Sequence, residues 1–409
     1  MIMEEMVLIS KFKVSSKNNI TYLFNEFNGD IFFLTTELYT YIKKYYPESI
    51  FSDTFVLKFH IDDQKYVKTV IDGLKEFIRR RNHNVNDIHA HLVITNQCNL
   101  KCIHCSTESE ATSEYMDYKK IFILLHNIKK MNISKITISG GEPLLYDHFF
   151  ELIRLIKNRL PYVELILSTN GTLISEQNVK FLIENFVQID ISLDGYDEDS
   201  CSKIRGVGVF EKVMDSIKKL KYENFHNVIV SSVFKKDSDK EKNLFINMCK
   251  ENNISYKIRT FIPIGRGKLN HEVFIGDEDV IPISIPELYR IKGDRNEILV
   301  RNCGAGKRKI YIDFDGSIYP CHMLKSKAFE LSNILDKKYS DTDIINFSYN
   351  VKNKMSFINE FNNTGCRDCN LNIFCWCCPG LFISIYNENK VNKWCNLMRD
   401  NLERIVWGG

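Results

Sequence analysis

The sequence lacks a long hydrophobic run. No apolar stretch approaches the roughly 18 residues that a membrane-spanning helix needs. The first six residues carry two acids where a signal peptide needs a basic start and an apolar core. It also lacks an excess of either charge, since 55 Lys and Arg against 52 Asp and Glu give a net charge of +3. We therefore expect a soluble cytoplasmic protein without a membrane partner, and the charge gives no argument for nucleic acid.

Low-complexity segments and internal repeats are also missing, apart from an alternation of strands and helices. Hydrophobic residues make up 44% of the 409 residues and charged residues 26%, a balance that is typical of globular chains and excludes a disordered one. The length predicts two or three domains.

Cysteine, by contrast, is abundant, with 13 residues. Disulfides rarely persist in a reducing compartment, so this number of thiols indicates metal binding or chemistry. Cys201 and Cys249 stand alone, and we interpret both as small buried hydrophobic residues. The others form two groups, which are Cys98, Cys102 and Cys105, and then Cys303, Cys321, Cys366, Cys369, Cys375, Cys377, Cys378 and Cys395.

Strand-like and helix-like segments alternate through the middle of the chain. The predicted strands cover residues 91–95, 135–139, 163–168, 188–193, 227–233 and 255–261. The amphipathic helical segments between them cover residues 118–130, 149–158, 176–184, 210–221 and 240–251. This order predicts an α/β fold with a parallel sheet, and six strands suit a partial (βα)6 barrel. The ligand site of such a barrel lies at the carboxyl ends of its strands.

The segments on either side have a different character. Residues 20–27 and 30–34 flank Asn28-Gly29 and predict a hairpin, with helical segments after it and a polar linker at 79–84. Residues 309–319 predict a second hairpin around Asp315-Gly316, and residues 390–406 predict a final helix. The domains that we predict are residues 1–86, residues 87–268, a connector at 269–302, and residues 303–409.

Three cysteines follow the first barrel strand directly. Cys98, Cys102 and Cys105 have the spacing CxxxCxxC, which places three thiols on one compact loop. A fully ligated iron–sulfur cubane takes four cysteines, so three leave one iron open for another ligand, as a catalytic cluster requires. Zinc is the competing metal, but a structural zinc site has four protein ligands and no open position. His104 is the sole local candidate for the fourth ligand.

This cysteine motif resembles that of the radical S-adenosylmethionine (SAM) superfamily, and later segments match the family in order. Gly140, Gly141 and Glu142 resemble the motif whose backbone and acid hold the methionine ammonium of SAM. Arg205 resembles an arginine that pairs with the methionine carboxylate. His104 departs from the family, which often has an aromatic residue there, although its flat ring can stack on adenine. The resemblance implies further cofactor-facing residues at Ser168, Asn170, Ser192 and Asp194.

The resemblance covers residues 88–268 and implies a reaction. A [4Fe–4S] cluster on Cys98, Cys102 and Cys105 would bind SAM and cleave it reductively, with electrons from a reductant such as flavodoxin or ferredoxin. The 5′-deoxyadenosyl radical would then take a hydrogen atom from a substrate carbon. Residues 264–267 resemble a further recurring family segment, to which we assign no role.

The C-terminal cysteines resemble the SPASM extension of peptide-modifying radical enzymes. By that likeness Cys303 and Cys321 join Cys377 or Cys378 on a first auxiliary cluster. The choice between the last two stays open, because the expected ligand position falls on Pro379. The second auxiliary cluster would be held by Cys366, Cys369, Cys375 and Cys395. The resemblance therefore implies three [4Fe–4S] clusters, one catalytic and two auxiliary.

The N-terminal segment 22–34 resembles a peptide-recognition element, a winged-helix-like module that binds a leader peptide by strand addition. A packing module or a nucleic-acid-binding one competes, but no dominant basic face indicates a nucleic-acid partner.

The combination predicts a maturase that crosslinks a ribosomally made precursor peptide bound through its leader. A thioether is the expected linkage, with carbon–carbon and carbon–oxygen linkages open. The alternatives are an anaerobic sulfatase-maturing enzyme that makes formylglycine and a redox-sensing winged-helix regulator, which would not explain Glu142 or Arg205.

Overall fold

The computed structural model describes the two ends of the chain in part and the middle almost throughout. The described residues are 13–24, 31–45, 88–109, 114–235, 238–259, 261–275, 303–356, 369–371, 378, 380, 383 and 391–407. The chain divides into two units. Unit 1 comprises Met1–Asn86, Ile285–Gly304 and Ser356–Gly409, and unit 2 comprises Asp87–Ser284 and Ala305–Met355.

Unit 1 contains a small antiparallel sheet in the order β1-β2-β3. Its strands and the helix that follows are β1 (Lys13–Lys17), β2 (Ile20–Phe24), β3 (Ile31–Thr35) and α1 (Thr36–Tyr45). The predicted hairpin is therefore confirmed as β2 and β3, whereas β1 was missed because Lys13–Lys17 has little apolar alternation. The predicted turn at Asn28-Gly29, the segment 63–79 and the linker at 79–84 lie outside the described residues.

The end of the chain packs on this sheet. The predicted C-terminal helix is present as α11 (Val391–Leu402), and a π-helical turn, Glu403–Trp407, continues it. Lys17 forms an ion pair with Glu403, and the ring of Tyr22 lies 5.3 Å from that of Trp407. These contacts tie the N-terminal sheet to the C-terminal helix within unit 1.

Unit 2 is built on a nine-stranded sheet in the order β12-β11-β10-β4-β5-β6-β7-β8-β9. The six parallel strands of its βα part are β4 (Ile88–Val93), β5 (Ile133–Ser139), β6 (Glu164–Thr169), β7 (Gln188–Ser192), β8 (Val228–Val233) and β9 (Ser255–Arg259). All six predicted strands are confirmed in parallel order, as a partial barrel requires.

Most helices of unit 2 cover one face of this sheet, whereas two short ones, between residues 266 and 275, contact the loop that carries the first three cysteines. The helices are α2 (Ile121–Lys130), α3 (Phe149–Arg159), α4 (Val179–Asn185), α5 (Glu198–Arg205), α6 (Val209–Tyr222), α7 (Asp239–Glu251), α8 (Arg266–Leu269), α9 (His271–Ile275) and α10 (Asp341–Ser356). The predicted amphipathic helices are confirmed, and α5 was missed although a capping box of Asp197 and Ser200 marks its start. None of the described helices is both long and apolar enough to cross a membrane.

Side chains alternate between the two faces of the parallel strands. Ile189, Ile191 and Leu193 pack into the helix-side core, so Asp190 and Ser192 face the inside of the barrel. Cys201 and Cys249 are fully buried in the same helix-side core, which confirms that they are small hydrophobic residues rather than ligands. On β7 the inward-facing side chains are therefore polar and the helix-facing ones apolar.

The second predicted hairpin extends the barrel sheet. It forms β10 (Lys309–Ile312) and β11 (Ser317–Tyr319), and β12 (Ser332–Asn333) follows. β10 pairs parallel with β4, although it lies far from β4 in the sequence. Its local pattern predicts the antiparallel β10–β11 pair, but not a partner more than 200 residues away.

Candidate active site

The loop that carries Cys98, Cys102 and Cys105 leaves the carboxyl end of β4. All three thiols are partly buried. The Leu100 N–H donates to Cys98 Sγ at 3.4 Å, and Cys105 Sγ lies 3.4 Å from the Thr107 hydroxyl. Hydrogen bonds within the loop thus orient two of its three thiols.

Gly140 and Gly141 lie against the segment that leads into this loop. The Gly141 N–H donates to Thr95 O at 2.8 Å, and the next N–H, of Glu142, donates to Gln97 O at 2.7 Å. A Cβ on Gly140 or Gly141 would collide with these carbonyl oxygens. The two glycines therefore let the end of β5 approach the cysteine loop directly, so the absence of side chains there shapes the site.

Glu142 is fully buried between the ends of β5 and β6. Its Oε1 accepts a hydrogen bond from the Thr169 hydroxyl at 2.7 Å, and Oε2 accepts one from the Asn170 N–H at 2.7 Å. Burial raises the pKa of Glu142 to about 7, although these hydrogen bonds oppose the shift. Oε2 keeps a lone pair for a further donor, such as an ammonium group.

Asn170 connects the same strand end to the cysteine loop. Its Nδ2 donates to Asn99 Oδ1 at 2.8 Å and lies 3.9 Å from Cys98 Sγ. Ser168 and Ser192 are both partly buried near the carboxyl ends of β6 and β7. The structure thus brings these predicted residues to one edge of the sheet.

Asp194 is a buried carboxylate that holds two other predicted residues. Its Oδ2 accepts from Arg205 Nε at 2.6 Å and lies 2.9 Å from His104 Nε2, while Oδ1 accepts from the Val233 N–H at 2.6 Å. Burial acts to raise the pKa of Asp194, but Arg205 and His104 outweigh it and hold the pKa well below its usual range. Asp194 is therefore ionised and positions Arg205, whose Nη1 lies 3.8 Å from Cys102 Sγ.

Arg266 is a residue of this site whose role the sequence did not reveal. Its Nη1 donates to Cys102 O at 3.0 Å and its Nη2 to Ser109 O at 2.8 Å, so one guanidinium holds both parts of the cysteine loop. Asn270 Nδ2 adds a bond to Ile103 O at 3.0 Å. The resemblance of residues 264–267 to a recurring family segment marked this region in the sequence. It could not reveal the partners of Arg266, because they lie more than 150 residues away along the chain.

The three thiols differ in acidity. Burial raises the pKa of Cys98 to about 11 and also raises the pKa of Cys102, which Arg205 partly offsets. Burial opposes ionisation of Cys105 too, but hydrogen bonds from Thr107 and from backbone N–H groups lower its pKa overall. Cys105 is thus the thiol that the protein alone makes the easiest to ionise.

These residues fit an iron–sulfur cluster with SAM. Among the residues that the structure describes, no group of three His, Cys, Asp or Glu side chains converges on a single metal ion. A cubane makes no such demand, because each cysteine binds a different iron. The His104 Nδ1 is buried and has no hydrogen-bond partner among the described residues, so a polar group is missing there. The partly buried thiols and the acceptor on Glu142 match the donors that a cluster and the SAM ammonium require.

The structure describes the expected auxiliary ligands only in part. Cys303, Cys369, Cys378 and Cys395 belong to unit 1, and Cys321 belongs to unit 2. All of these are partly buried. Cys366, Cys375 and Cys377 lie outside the described residues, so the choice between Cys377 and Cys378 stays a prediction.

Two family models match the chain. Residues 92–249 match the radical SAM superfamily, and residues 303–370 match the SPASM iron–sulfur cluster-binding domain. The first match spans the cysteine loop, Glu142, Asp194 and Arg205. The radical SAM and SPASM class predicted from the sequence is therefore confirmed.

Two similar proteins are both named GTP 3′,8-cyclase. The protein of Clostridium acetobutylicum is 27% identical over 263 residues, which are 58% of this chain and 82% of that protein. The protein of Clostridium perfringens strain 13 is 34% identical over 182 residues, which are 43% of this chain and only 55% of that protein.

Solved structures show the same fold at lower identity. SuiB of Streptococcus suis bound to S-adenosylmethionine has a TM-score of 0.52 and 17% identity, and the match covers 89% of this chain and 94% of SuiB. The enzyme anSMEcpe with bound AdoMet has a TM-score of 0.51 and 20% identity, with 70% and 87% covered. The chain is a radical SAM enzyme with iron–sulfur and SAM-binding domains on a partial barrel.

Proposed function

We propose that this radical SAM enzyme modifies a ribosomally made precursor peptide and installs an intrapeptide crosslink, with a thioether as the first linkage to test. The catalytic cluster would be held by Cys98, Cys102 and Cys105. A cluster bound there would supply the electron for reductive cleavage of SAM, which is the chemistry that generates a radical able to take a hydrogen atom from the peptide. The protein residues bind and orient SAM and keep solvent away from the site.

Each predicted SAM contact has a role that follows from its chemistry. Glu142 would accept a hydrogen bond from the methionine ammonium through the open lone pair on Oε2. Arg205, fixed through Nε by Asp194, would present its remaining N–H groups to the methionine carboxylate. Asn170 and Ser192, at adjacent strand ends, would contact the sugar and the methionine, and the His104 ring would lie against adenine.

The observation that carries the peptide assignment is the N-terminal sheet. In the described part of the chain β3 pairs only with β2, so no described strand pairs with its other edge, where we propose that a leader strand adds. Phe33, in the middle of β3, is 38% exposed. On the opposite strand, β1, Ser15 donates to Asn370 O and Lys17 pairs with Glu403. Side chains of β1 thus contact the C-terminal part of the chain, and the leader would add to the edge of β3.

The remaining cysteines support the clusters that the reaction needs. A thioether forms when a carbon loses one hydrogen atom, a cysteine thiol loses its proton, and one electron leaves the peptide. The C-terminal cysteines would hold auxiliary clusters, which would supply one-electron redox chemistry of the kind that removal of this electron needs. We therefore propose three [4Fe–4S] clusters, and anaerobically reconstituted protein should contain about twelve irons per chain.

The test uses the full-length reconstituted enzyme, SAM, a chemical reductant and synthetic peptides encoded by short reading frames beside the gene. A crosslinked product loses the mass of two hydrogen atoms. A thioether also loses the cysteine's reaction with iodoacetamide, whereas a carbon–carbon linkage keeps it. Replacement of a cysteine thiol by an aldehyde would instead support the formylglycine alternative. Formation of 5′-deoxyadenosine with no change in any peptide would contradict the proposal.

Two variants locate the function in the structure. Alanine at Cys98, Cys102 and Cys105 together should abolish SAM cleavage and leave auxiliary iron bound. Phe33→Ser should weaken binding of a fluorescent leader peptide without changing SAM cleavage. Phe122→Ser is its control, because Phe122 is an exposed aromatic residue on α2, in unit 2, and does not belong to the N-terminal sheet.

A further inference from the structure

Lys257 and Arg259, two residues apart on β9, both lie on the inner face of that strand. Lys257 pairs with Ser231 of β8, and Arg259 pairs with Val233. Val228 and Val230 belong to the helix-side core, so the alternate residues of β8 and their β9 neighbours face the barrel interior. Tyr256 confirms this parity, because its ring packs on Phe245 of α7. Lys257 and Arg259 are both exposed to solvent within this interior.

The groups around these cations leave the region positive. The Lys257 side chain is 50% exposed and its Nζ lies 3.9 Å from Asp190 Oδ2, at the limit of an ion pair. Gln188 donates to the other oxygen of Asp190 at 2.6 Å. In the described part of the chain no carboxylate pairs with Arg259 or with Lys309, which lies across the barrel on β10. Three cations against one carboxylate give a charge of +2.

The pKa values of two interior histidines are lowered, mainly by burial and further by these cations. Burial, followed by Lys309, Lys135 and then Lys257, lowers the pKa of His89 to about 4, while Asp190 opposes the shift. Burial, with His322 and Arg259 among the neighbouring groups, lowers the pKa of His91 to about 3. Both histidines are therefore neutral near pH 7 and leave the net charge of the region unchanged.

A buried hydroxyl lies beside the cations. Ser231 is 5% exposed, and its Oγ has no hydrogen-bond partner among the described residues. It stands in one row of the sheet between Ser192 on β7 and Lys257 on β9. A buried hydroxyl without a partner costs free energy, so a ligand that accepts its hydrogen bond would stabilise the site.

We propose that Ser231, Lys257 and Arg259 bind a carboxylate of the substrate, an Asp or Glu side chain of the peptide close to the residue that loses hydrogen. This inference rests on the proposed peptide function. A carboxylate accepts hydrogen bonds from both cations and from the hydroxyl at once. The charge of +2 matches one carboxylate better than a nucleotide triphosphate, which carries about four negative charges and is commonly held by backbone N–H nests.

The test is a binding competition with a pool of short synthetic peptides in which each Cys-containing sequence occurs in a Glu and a Gln form. Full-length reconstituted enzyme with SAM is filtered with the pool, and mass spectrometry measures which peptides it retains. We expect retention of the Glu form over the Gln form on the order of tenfold, as one charge-assisted hydrogen bond supplies. The double variant Lys257→Gln/Arg259→Gln should abolish this preference.

The matched control is Lys212→Gln/Lys218→Gln, which removes the same charge from exposed positions on α6 and should keep the preference. Iron content and SAM binding show that each variant is folded and loaded. If the double variant fails to hold iron, Ser231→Ala and Lys257→Gln carry the same test singly.

The possible failures are distinguishable. Equal retention of Glu and Gln forms, or a preference that survives in Lys257→Gln/Arg259→Gln, would overturn the carboxylate site and leave the peptide function standing. Retention of GTP in a parallel filtration, with no peptide retained by the wild type, would overturn both, and loss of that GTP in the double variant would assign the cations to phosphate.

Discussion

Replacing Arg266 tests whether the cysteine loop is held from outside its own sequence. The guanidinium donates to Cys102 O and Ser109 O, and the residue is half-buried. A charge-assisted hydrogen bond contributes about 1.5–3 kcal/mol. Because water competes at this depth, we take about 1–1.5 kcal/mol for each bond. Arg266→Met should therefore cost about 2–3 kcal/mol of loop order, which is a factor of about 30 to 150 in the population of the opened loop.

The assay is the rate at which a chelator removes iron from reconstituted protein. Since a chelator reaches the cluster through the opened loop, the fast phase of iron loss should accelerate by about the same factor of 30 to 150. Arg266→Lys keeps the charge but cannot span both carbonyl groups, so its rate should be intermediate. The phase belongs to the catalytic cluster if it is absent from the variant with alanine at all three loop cysteines.

Arg154→Met is the control for the loss of an arginine. Arg154 is exposed on α3, where its guanidinium lies 5.1 Å above the Phe181 ring. That variant should release iron at the wild-type rate. Iron loss from Arg266→Met at the wild-type rate, with normal formation of 5′-deoxyadenosine, would refute the reasoning.

Three further predictions concern buried titratable side chains. Burial raises the pKa of Glu142 to about 7. Because the ionised carboxylate attracts the SAM ammonium, SAM affinity should rise between about pH 6 and about pH 8. The variant Glu142→Gln should bind SAM weakly at both pH values. The pKa of His91 is lowered to about 3 in the folded protein. As the pH falls, the unfolded chain binds this proton first, so the free energy of unfolding should fall by about 2 kcal/mol from about pH 7 to about pH 5. In urea titrations, His91→Phe should remove that part of the pH dependence. Asp194→Asn leaves Arg205 buried without a counter-charge and should lower the free energy of unfolding by about 3–5 kcal/mol.

Each of these has its own contradicting result, and the Asp194 prediction also has a control variant. A flat SAM affinity across the pH range in equilibrium dialysis would mean that Glu142 does not meet the ammonium. An unchanged slope in His91→Phe would place the acid sensitivity elsewhere. Asp199→Asn breaks an exposed ion pair with Lys203 and should change stability by less than about 1 kcal/mol; an equally small loss in Asp194→Asn would contradict its role as the buried anchor.

Much of the fold could be predicted from local sequence patterns. A β-strand is recognisable from a short apolar run and a helix from its periodicity, so the six parallel strands and the helices between them could be predicted within a few residues. The cysteine loop was also predictable, because the spacing of Cys98, Cys102 and Cys105 depends on one short segment. β1 was missed because its residues show little apolar alternation, and α5 was missed although Asp197 and Ser200 signal its start.

The sequence by itself determined which chemistry the chain carries, whereas the tertiary structure decided how the groups are held and where they face. Spacing puts three thiols on one loop, but only the fold brings Arg266 to Cys102 and Thr169 to Glu142. The addition of β10 to β4 and the inward face of Lys257 likewise depend on strand pairing between distant segments. Hydrogen bonds and sheet register join atoms that are close in space, and a one-dimensional pattern records only neighbours along the chain.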